Sequence, residues 1–207
     1  MANLISYLQK DVPAKGAKPN NRINQEKLKK YLFADEYNHL KLLQKIPKIT
    51  LQTTKPLLFY PGCGVDILFP LFYVEALFQI KQVSFLFVDK DNTLGMIKTI
   101  LDDISIHFSE RKNILRFYWN GIPVDVEFVN GNVFELLEKI PSFDIYFERA
   151  FRIMREQHLN YEQQIFTKLN KNGVLISDSG YQQCNLKVFP VPQELSSYRE
   201  MIAGQKE

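Results

Sequence analysis

Pro56-Leu57-Leu58-Phe59-Tyr60-Pro61-Gly62-Cys63-Gly64-Val65-Asp66 is the stretch on which the reading of this 207-residue chain turns. An apolar run of five residues stops abruptly at a Pro-Gly-Cys-Gly turn. That pattern predicts a strand buried on both faces, followed by a glycine turn. Downstream, Pro70 suits the first turn of a helix running to about Gln79. A second apolar run, Val83 to Val88, predicts another buried strand, and it ends in Asp89. Strand, glycine turn, helix and strand together make one βαβ unit, the building block of a parallel sheet.

Working outward, the same alternation continues. Thr93 to about Phe108 reads as a helix. Ile114–Trp119 and Pro123–Val129 flank Asn120-Gly121, a strong hairpin signal because a type I′ turn needs positive φ at both central residues. Val133 to Ile140 reads as a short helix, Phe143 to Phe147 as a strand, and Gln157 to Leu169 as a helix capped by Asn172-Gly173. Val174 to Ser177 is a further strand, and Gln183 to Phe189 a last edge strand before a polar tail. Toward the N-terminus, Asp11 to Arg22 reads as a mobile arm, and Asn24 to Ile46 as helix, in two short pieces, ended by Pro47. The expected fold is a single α/β domain, Rossmann-like and doubly wound. Its mostly parallel sheet carries helices on both faces and a β-hairpin insertion near 114–129. Residues 1–50 form a basic helical extension before the domain of residues 51–207.

Composition bounds the function classes. With 45% hydrophobic and 24% charged residues, the chain is ordinary for a globular domain. No window holds about 18 uncharged apolar residues, so no membrane span is expected. Cys63 and Cys184 offer neither a disulfide framework nor metal spacing, so no metal is expected and both are read as free thiols of a cytoplasmic protein. The net charge of +3 is uneven: residues 1–50 hold ten Lys/Arg against four Asp/Glu, and the remainder sixteen against nineteen. A solvated basic helix is the plainer reading. A surface for an anionic substrate or nucleic acid is the functional one, and no aromatic-interleaved basic stripe in the sequence supports it.

Open parallel sheets bind ligands beyond the carboxyl ends of their strands. Four such ends carry polar residues here: the turn Tyr60–Asp66, Asp89, Asn130-Gly131-Asn132, and Glu148-Arg149. Glycines at 62 and 64 let the backbone approach a ligand and present N–H groups to a carboxylate or phosphate. A carboxylate at Asp89 can accept both hydroxyls of a ribose, and its distance from Gly64 is that of one turn, helix and strand. A dinucleotide site needs a third glycine where this chain has Ile67, crowded by Phe69 and Pro70, which disfavours a nicotinamide-dependent reductase. No Gly-Lys-Ser/Thr follows the turn, so a phosphate P-loop is excluded too.

In these motifs the chain resembles the class I S-adenosylmethionine-dependent methyltransferases, over roughly Pro56 to Asp178. Phe59-Tyr60-Pro61-Gly62-Cys63-Gly64 resembles the family's first motif. Asp89 resembles its ribose-binding acid, Asn130-Gly131-Asn132-Val133 the adenine-contacting stretch, and Phe143-Asp144-Ile145-Tyr146-Phe147-Glu148 the strand facing methyl transfer. Leu169-Asn170-Lys171-Asn172-Gly173-Val174-Leu175-Ile176 resembles the lead into the fifth strand. The resemblance implies S-adenosylmethionine as cofactor, held by Tyr60, Gly62, Cys63, Gly64, Asp66, Asp89, Lys90, Asn132 and Val133. It implies methyl transfer to an acceptor of unspecified class (small molecule, protein or nucleic acid), with Glu148 and Arg149 positioning it. Departures are Tyr60 in place of an acid, Asp66 in place of a third glycine, Asn132 in place of Asp, and a region after the fifth strand short for the family's closing antiparallel pair.

Each residue also has a plainer reading. Asp66 and Asn132 can cap the helices that follow them, and so can Asp89. Cys63 lacks a visible base partner for nucleophilic work. Glu148 and Arg149 can form a structural ion pair. His39, His107 and His158 read as surface or structural residues. The rival to the enzyme is a non-catalytic Rossmann-like binding or scaffold protein with a vestigial glycine turn and a basic region that meets a partner. A monomer or homodimer is expected, and the first 50 residues are expected to be a lid or substrate-recognition piece.

Overall fold

The computed structural model describes residues 9–181, 184–195 and 200–207. The N-terminal segment carries helices α1 (Gln25–Lys29) and α2 (Ala34–Leu40), and a 3-10 turn at Lys41–Lys45. Asn24 caps α1 through its side chain, which accepts the Lys27 N–H. Strand β1 (Leu57–Pro61) then leads through the glycine turn into α3 (Leu68–Leu77). Next come β2 (Val83–Asp89), α4 (Leu94–Asp103), and the antiparallel trio β3 (Ser109–Arg111), β4 (Ile114–Trp119) and β5 (Ile122–Asn130). A single-turn helix, α5 (Val133–Leu136), leads to β6 (Phe143–Glu148). The chain closes with α6 (Arg152–Glu156), α7 (Tyr161–Lys168), β7 (Leu169–Ser177), β8 (Leu186–Val188) and β9 (Ile202–Lys206).

The nine strands form one sheet in the order β3-β4-β5-β2-β1-β6-β7-β9-β8. Strands β5, β2, β1, β6 and β7 are parallel, and both flanks are antiparallel. The fold is therefore α/β with a mostly parallel, Rossmann-like core. The chain leaves β1 toward β2 on one side and reaches β6 on the other, so the carboxyl ends of β1, β2 and β6 surround a topological switch point.

The near-continuous apolar strands follow from two-faced burial. Along β1, Leu58 and Tyr60 face one cluster with Phe85, Phe87, Ile145 and Phe147, while Phe59 faces a second with Leu86, Val88, Phe143 and Tyr146. This is the period of two expected of a strand. The first cluster also takes in Val12, Ile23, Leu28, Leu32, Leu40, Leu43, Ile46 and Ile49, so the N-terminal segment shares the domain's core.

Several expectations need correction. The Asp11–Arg22 arm is pinned: Val12 is buried, Lys15 and Gly16 N–H groups donate to the Phe108 carbonyl, and Lys10 and Lys15 pair with Asp103 and Asp102. The helix expected to reach Phe108 ends at Asp103, because Ser105 takes φ +68° and Ile106 N–H returns to the Leu101 carbonyl, a Schellman-type stop. The helix expected from Gln157 begins only at Tyr161, as α7, after Asn160 at φ +62°, and a separate short helix, α6, precedes Gln157. Asn172-Gly173 does not cap a helix; it lies in an irregularity of β7, where the register against β6 jumps from Phe143↔Leu169 to Ile145↔Val174. The edge strand spans Leu186–Val188, and Gln183 lies outside the described residues. The tail, expected only to be polar, supplies β9, which pairs antiparallel with both β7 and β8. The closing antiparallel pair is thus present, in strands too short to announce themselves.

Candidate functional site

The turn after β1 is held by the strand beside it. The Gly62 N–H donates to the Val88 carbonyl at 2.8 Å and the Gly64 N–H to Asp89 Oδ2 at 2.7 Å, while Thr93 Oγ1–H donates to the Gly64 carbonyl. Gly62 and Gly64 sit at φ +59° and +52°, where glycine avoids the Cβ penalty of the left-handed region. Asp89 Oδ1 accepts the Asp91 N–H at 2.9 Å, folding the loop after β2 back on itself. The side chain of Asn130 bonds the carbonyls of Asp89 and Lys90, and the Gly131 N–H donates to Asp89 O. Three strand ends are thus stitched into one rim.

That rim bounds a cavity of about 420 Å³, lined among others by Gly62, Gly64, Asp89, Lys90, Asn132 and Val133. Its volume falls within the roughly 300–1,000 Å³ of small-molecule sites. Six of the nine residues expected at a cofactor site therefore line one cavity. The other three, Tyr60, Cys63 and Asp66, do not. Tyr60 is buried in the core, where its hydroxyl donates to Asp66 Oδ2 at 2.9 Å. Cys63 is buried, and burial, with Asp89 and Asp66 nearby, pushes its thiol far above the ordinary range, opposite to the shift that activates a nucleophilic cysteine. Asp66 accepts the Phe69 N–H at 3.1 Å at the start of α3 and pairs with Arg149 at 3.2 Å. The amides of Gly62 and Gly64, expected to face a ligand, are engaged within the protein. Asn132 is the N-cap of α5: its Oδ1 accepts the Phe134 N–H, and its Nδ2 donates to Glu135.

The remaining wall was not legible in the sequence. Phe134, Phe151, Met154 and His158 line it. The imidazole of His158 lies 3.4 Å from the Phe134 ring centroid at an interplanar angle of 13°, and Phe151 stacks on Phe134 with centroids 5.9 Å apart and leans against Tyr161 behind it. No strand end or glycine marks residues 151–158. They reach the cavity because α6 folds back over the glycine turn, bringing Phe151 against Gly62.

Glu148 and Arg149, expected to position an acceptor, line neither this rim nor its aromatic wall. Glu148 has no exposed surface. Its carboxylate accepts hydroxyl bonds from Tyr146 and Ser177, each at 2.6 Å, and lies 3.0 Å from Arg155 Nη1. Burial outweighs these partners and pushes its carboxyl up to about 7. Arg149 spans Glu36 of α2 (3.1 Å) and Asp66 (3.2 Å), its guanidinium 3.3 Å above the Phe69 ring. It lines a second, larger cavity of about 810 Å³ with Asp35, Glu36, His39, Phe69, Tyr73 and Glu194. Size alone does not make that cavity the better candidate, since the glycine turn and Asp89 belong to the smaller one. Among the described residues no group of three or more His, Cys, Asp or Glu side chains is placed to hold a metal ion, and no helix is long and apolar enough to cross a membrane.

No family model matches the sequence, and no curated protein matches it either. Three solved structures similar to the chain are distant from it. A precorrin-8w decarboxylase from Methanobacterium thermoautotrophicum shares 18% identity, over 80% of this chain and 70% of that one, at a TM-score of 0.41. A methyltransferase from Geobacter sulfurreducens shares 13%, over 83% and 77%, at 0.44. An S-adenosyl-L-methionine methyl transferase from Silicibacter pomeroyi shares 9%, over 84% and 94%, at 0.45. The shared property is a Rossmann-like fold. At such identities and scores nothing beyond the fold passes from them to this chain, whose own sheet order already carries that assignment.

Proposed function

We propose that the 420 Å³ cavity holds S-adenosylmethionine and that the protein transfers its methyl group to an acceptor. The observation that carries this reading is the junction of the glycine turn with Asp89. A carboxylate ending β2 touches the Gly64 amide at 2.7 Å at the mouth of a cavity on the sheet's switch point. Each Asp89 oxygen accepts one backbone N–H and keeps a further lone pair for a ribose hydroxyl. A Cβ on Gly64 would meet no atom within 4 Å, so the turn leaves room where the amino-acid part of the cofactor belongs. No glycine opens the α3 helix for a pyrophosphate, which favours an adenosyl amino acid over a dinucleotide.

In this reading Asp89 holds the ribose, Asn132, Val133 and the Phe134 ring border the adenine, and Gly62, Gly64 and Lys90 complete the pocket. When bound, the cofactor would supply a methyl activated on a sulfonium, open to displacement by an acceptor lone pair with S-adenosylhomocysteine as the leaving group and any acceptor proton lost to solvent. The chain's task is alignment and exclusion of water. Phe151 and Met154 do the second, roofing the glycine turn. Direct displacement needs no acid or base, which accords with Glu148 and Arg149 being engaged elsewhere.

Titration calorimetry with S-adenosylhomocysteine tests the reading. Binding is expected, and Asp89→Ala should weaken it about 10- to 100-fold, the loss of hydrogen bonds to a charged group. Asp89→Asn, which keeps the shape, should weaken it less. A folded protein that takes up neither S-adenosylmethionine nor S-adenosylhomocysteine would sink the proposal. Binding without methyl release to any acceptor class would instead support the scaffold reading.

A further inference from the structure

The roof of the cavity is held by few side chains. Of residues 150–160, Phe151 and Arg155 alone are buried; the outermost, Ile153 and Leu159, are 73% and 91% exposed. Both ends of this segment turn at left-handed residues, Ala150 at φ +52° and Asn160 at φ +62°. A left-handed alanine is strained, and it persists only where its surroundings enforce it. Asp178 does so here, since both of its carboxylate oxygens accept the Ala150 N–H. Between the two turns, Phe151, Met154 and His158 face the cavity at the three- and four-residue spacing of one helix side.

Arg155 is the other buried side chain of the segment, and it does not line the cavity. It runs instead to the carboxyl ends of β6 and β7. Its guanidinium lies 3.0 Å from Glu148 and 3.4 Å from Glu162 of α7. Nη2 donates to the carbonyls of Ser179 and Gly180, and the Tyr181 ring centroid is 4.5 Å from the guanidinium carbon. Arg152, by contrast, pairs with Glu156 and Glu200 at the surface, where ion pairs stabilise little.

We propose that Arg155 is a positioning residue for the cavity's ligand, clamping α6 so that Phe151 and Met154 stay over the glycine turn. The two anchors differ in kind. The Phe151 ring meets Gly62 through apolar contact, which has no preferred direction and lets a ring slide. The Arg155 guanidinium meets fixed carbonyls and carboxylates, and its planar fork sets the angle at which the helix lies. A segment with so few buried contacts opens locally at far lower cost than the sheet beneath it. Loss of the clamp therefore lifts the roof without unfolding the domain, and a ligand below it leaves faster. The statement about the ligand rests on the cofactor reading; the statement about the clamp does not.

Two variants of the full-length protein test it. Arg155→Lys keeps the charge but cannot span Glu148 and both carbonyls, and Glu148→Gln keeps the shape but removes the charge that Arg155 faces. By hydrogen exchange, each should lose protection about tenfold or more over residues 151–160 and at the Gly62 and Gly64 amides, the loss of a hydrogen bond to a charged group. Strands β2 and β5 should keep the parent's protection. S-adenosylhomocysteine should dissociate about tenfold faster from both variants and associate no more slowly, because the change is in retention. Glu156→Gln, an exposed change one residue along, should match the parent in every measurement. Protection lost equally in β2 and β5 would assign Arg155 to the fold as a whole and overturn the proposal. So would a loosened α6 with unchanged dissociation of S-adenosylhomocysteine. If the parent takes up no S-adenosylhomocysteine, the cofactor reading falls, and exchange alone decides the clamp: Gly62 and Gly64 amides that stay protected while residues 151–160 lose protection overturn it.

Discussion

Two parallel strands of this sheet end in an acid, and the two ends could hardly differ more. Asp89 closes β2, and Glu148 closes β6 on the other side of the switch point. Around Asp89 the neighbours are glycines 62, 64 and 131 and backbone amides, and the carboxylate borders open space. Around Glu148 they are Tyr146, Ser177 and Arg155, which pack around the carboxylate and engage both of its oxygens. A carboxylate at the carboxyl edge of a parallel sheet is therefore not a site by position alone. It becomes one where small residues leave volume beside it. Where its neighbours are large and polar, the same chemistry is turned inward and holds the fold.

The largest expected effect strikes the inward end. Arg155 is 4% exposed. It faces Glu148, donates to the Ser179 and Gly180 carbonyls, and lies over the Tyr181 ring. Removing one partner of a buried pair leaves the other uncompensated, at a cost of about 3–5 kcal/mol. Arg155→Ala should therefore lower the urea midpoint by that equivalent at unchanged slope. A loss under about 1 kcal/mol would mean that the network at β6 does not hold the fold, and the contrast with β2 would lapse.

The second effect is a pH dependence at the same end. The Glu148 carboxyl is raised from 4.5 to about 7 by burial, so the folded state binds its proton more tightly than the unfolded chain. Its contribution to stability is greatest below pH 4.5 and declines as pH rises toward 7, by about 3 kcal/mol at roughly 1.4 kcal/mol per pH step. Glu148→Gln stays neutral, so the difference in unfolding free energy between parent and variant should change across pH 4.5–7. A difference that is flat over this window would show that the carboxyl is ionised in the fold, with Arg155 dominating.

How much of this contrast the sequence carried depends on the range of the interactions. The open end is built from local signals: a glycine turn, an acid at a strand end, and a fixed spacing between them. All of these could be read from residues 56–89. The β-hairpin at Asn120-Gly121 was legible for the same reason, since its φ +47° and +84° are demands of the turn itself. The closed end depends on partners 7 and 29 residues from Glu148, Arg155 and Ser177, which no periodicity links. The aromatic wall of His158, Phe134 and Phe151 was missed likewise, because α6 is a five-residue helix with no cap signal. β9 was missed because Ile202-Ala203-Gly204-Gln205-Lys206 has little β propensity, and only pairing along β7 makes it a strand. Tyr60 and Asp66 occupy motif positions, and motif position alone does not reveal their partners. They share one hydrogen bond and, through Arg149, tie the turn to Glu36 of the N-terminal segment.

The smallest effect sharpens the comparison within the open end itself. Gly62 and Gly64 share a left-handed backbone, so an alanine at either costs about 1–2 kcal/mol for conformation alone. Their surroundings differ. A Cβ on Gly62 would stand 2.7 Å from Phe151 Cδ2 and 2.8 Å from Cε2, and that ring is 1% exposed, packed between Phe134 and Tyr161, with little freedom to retreat. A Cβ on Gly64 would meet nothing within 4 Å. Gly62→Ala should thus be less stable than Gly64→Ala by the cost of overpacking, about 1–3 kcal/mol, read as the difference between their denaturation midpoints. Equal losses would mean that Phe151 moves freely away from the turn. In that case the roof over the cavity is an adjustable flap rather than a packed wall, and the open end is more open than its rim suggests.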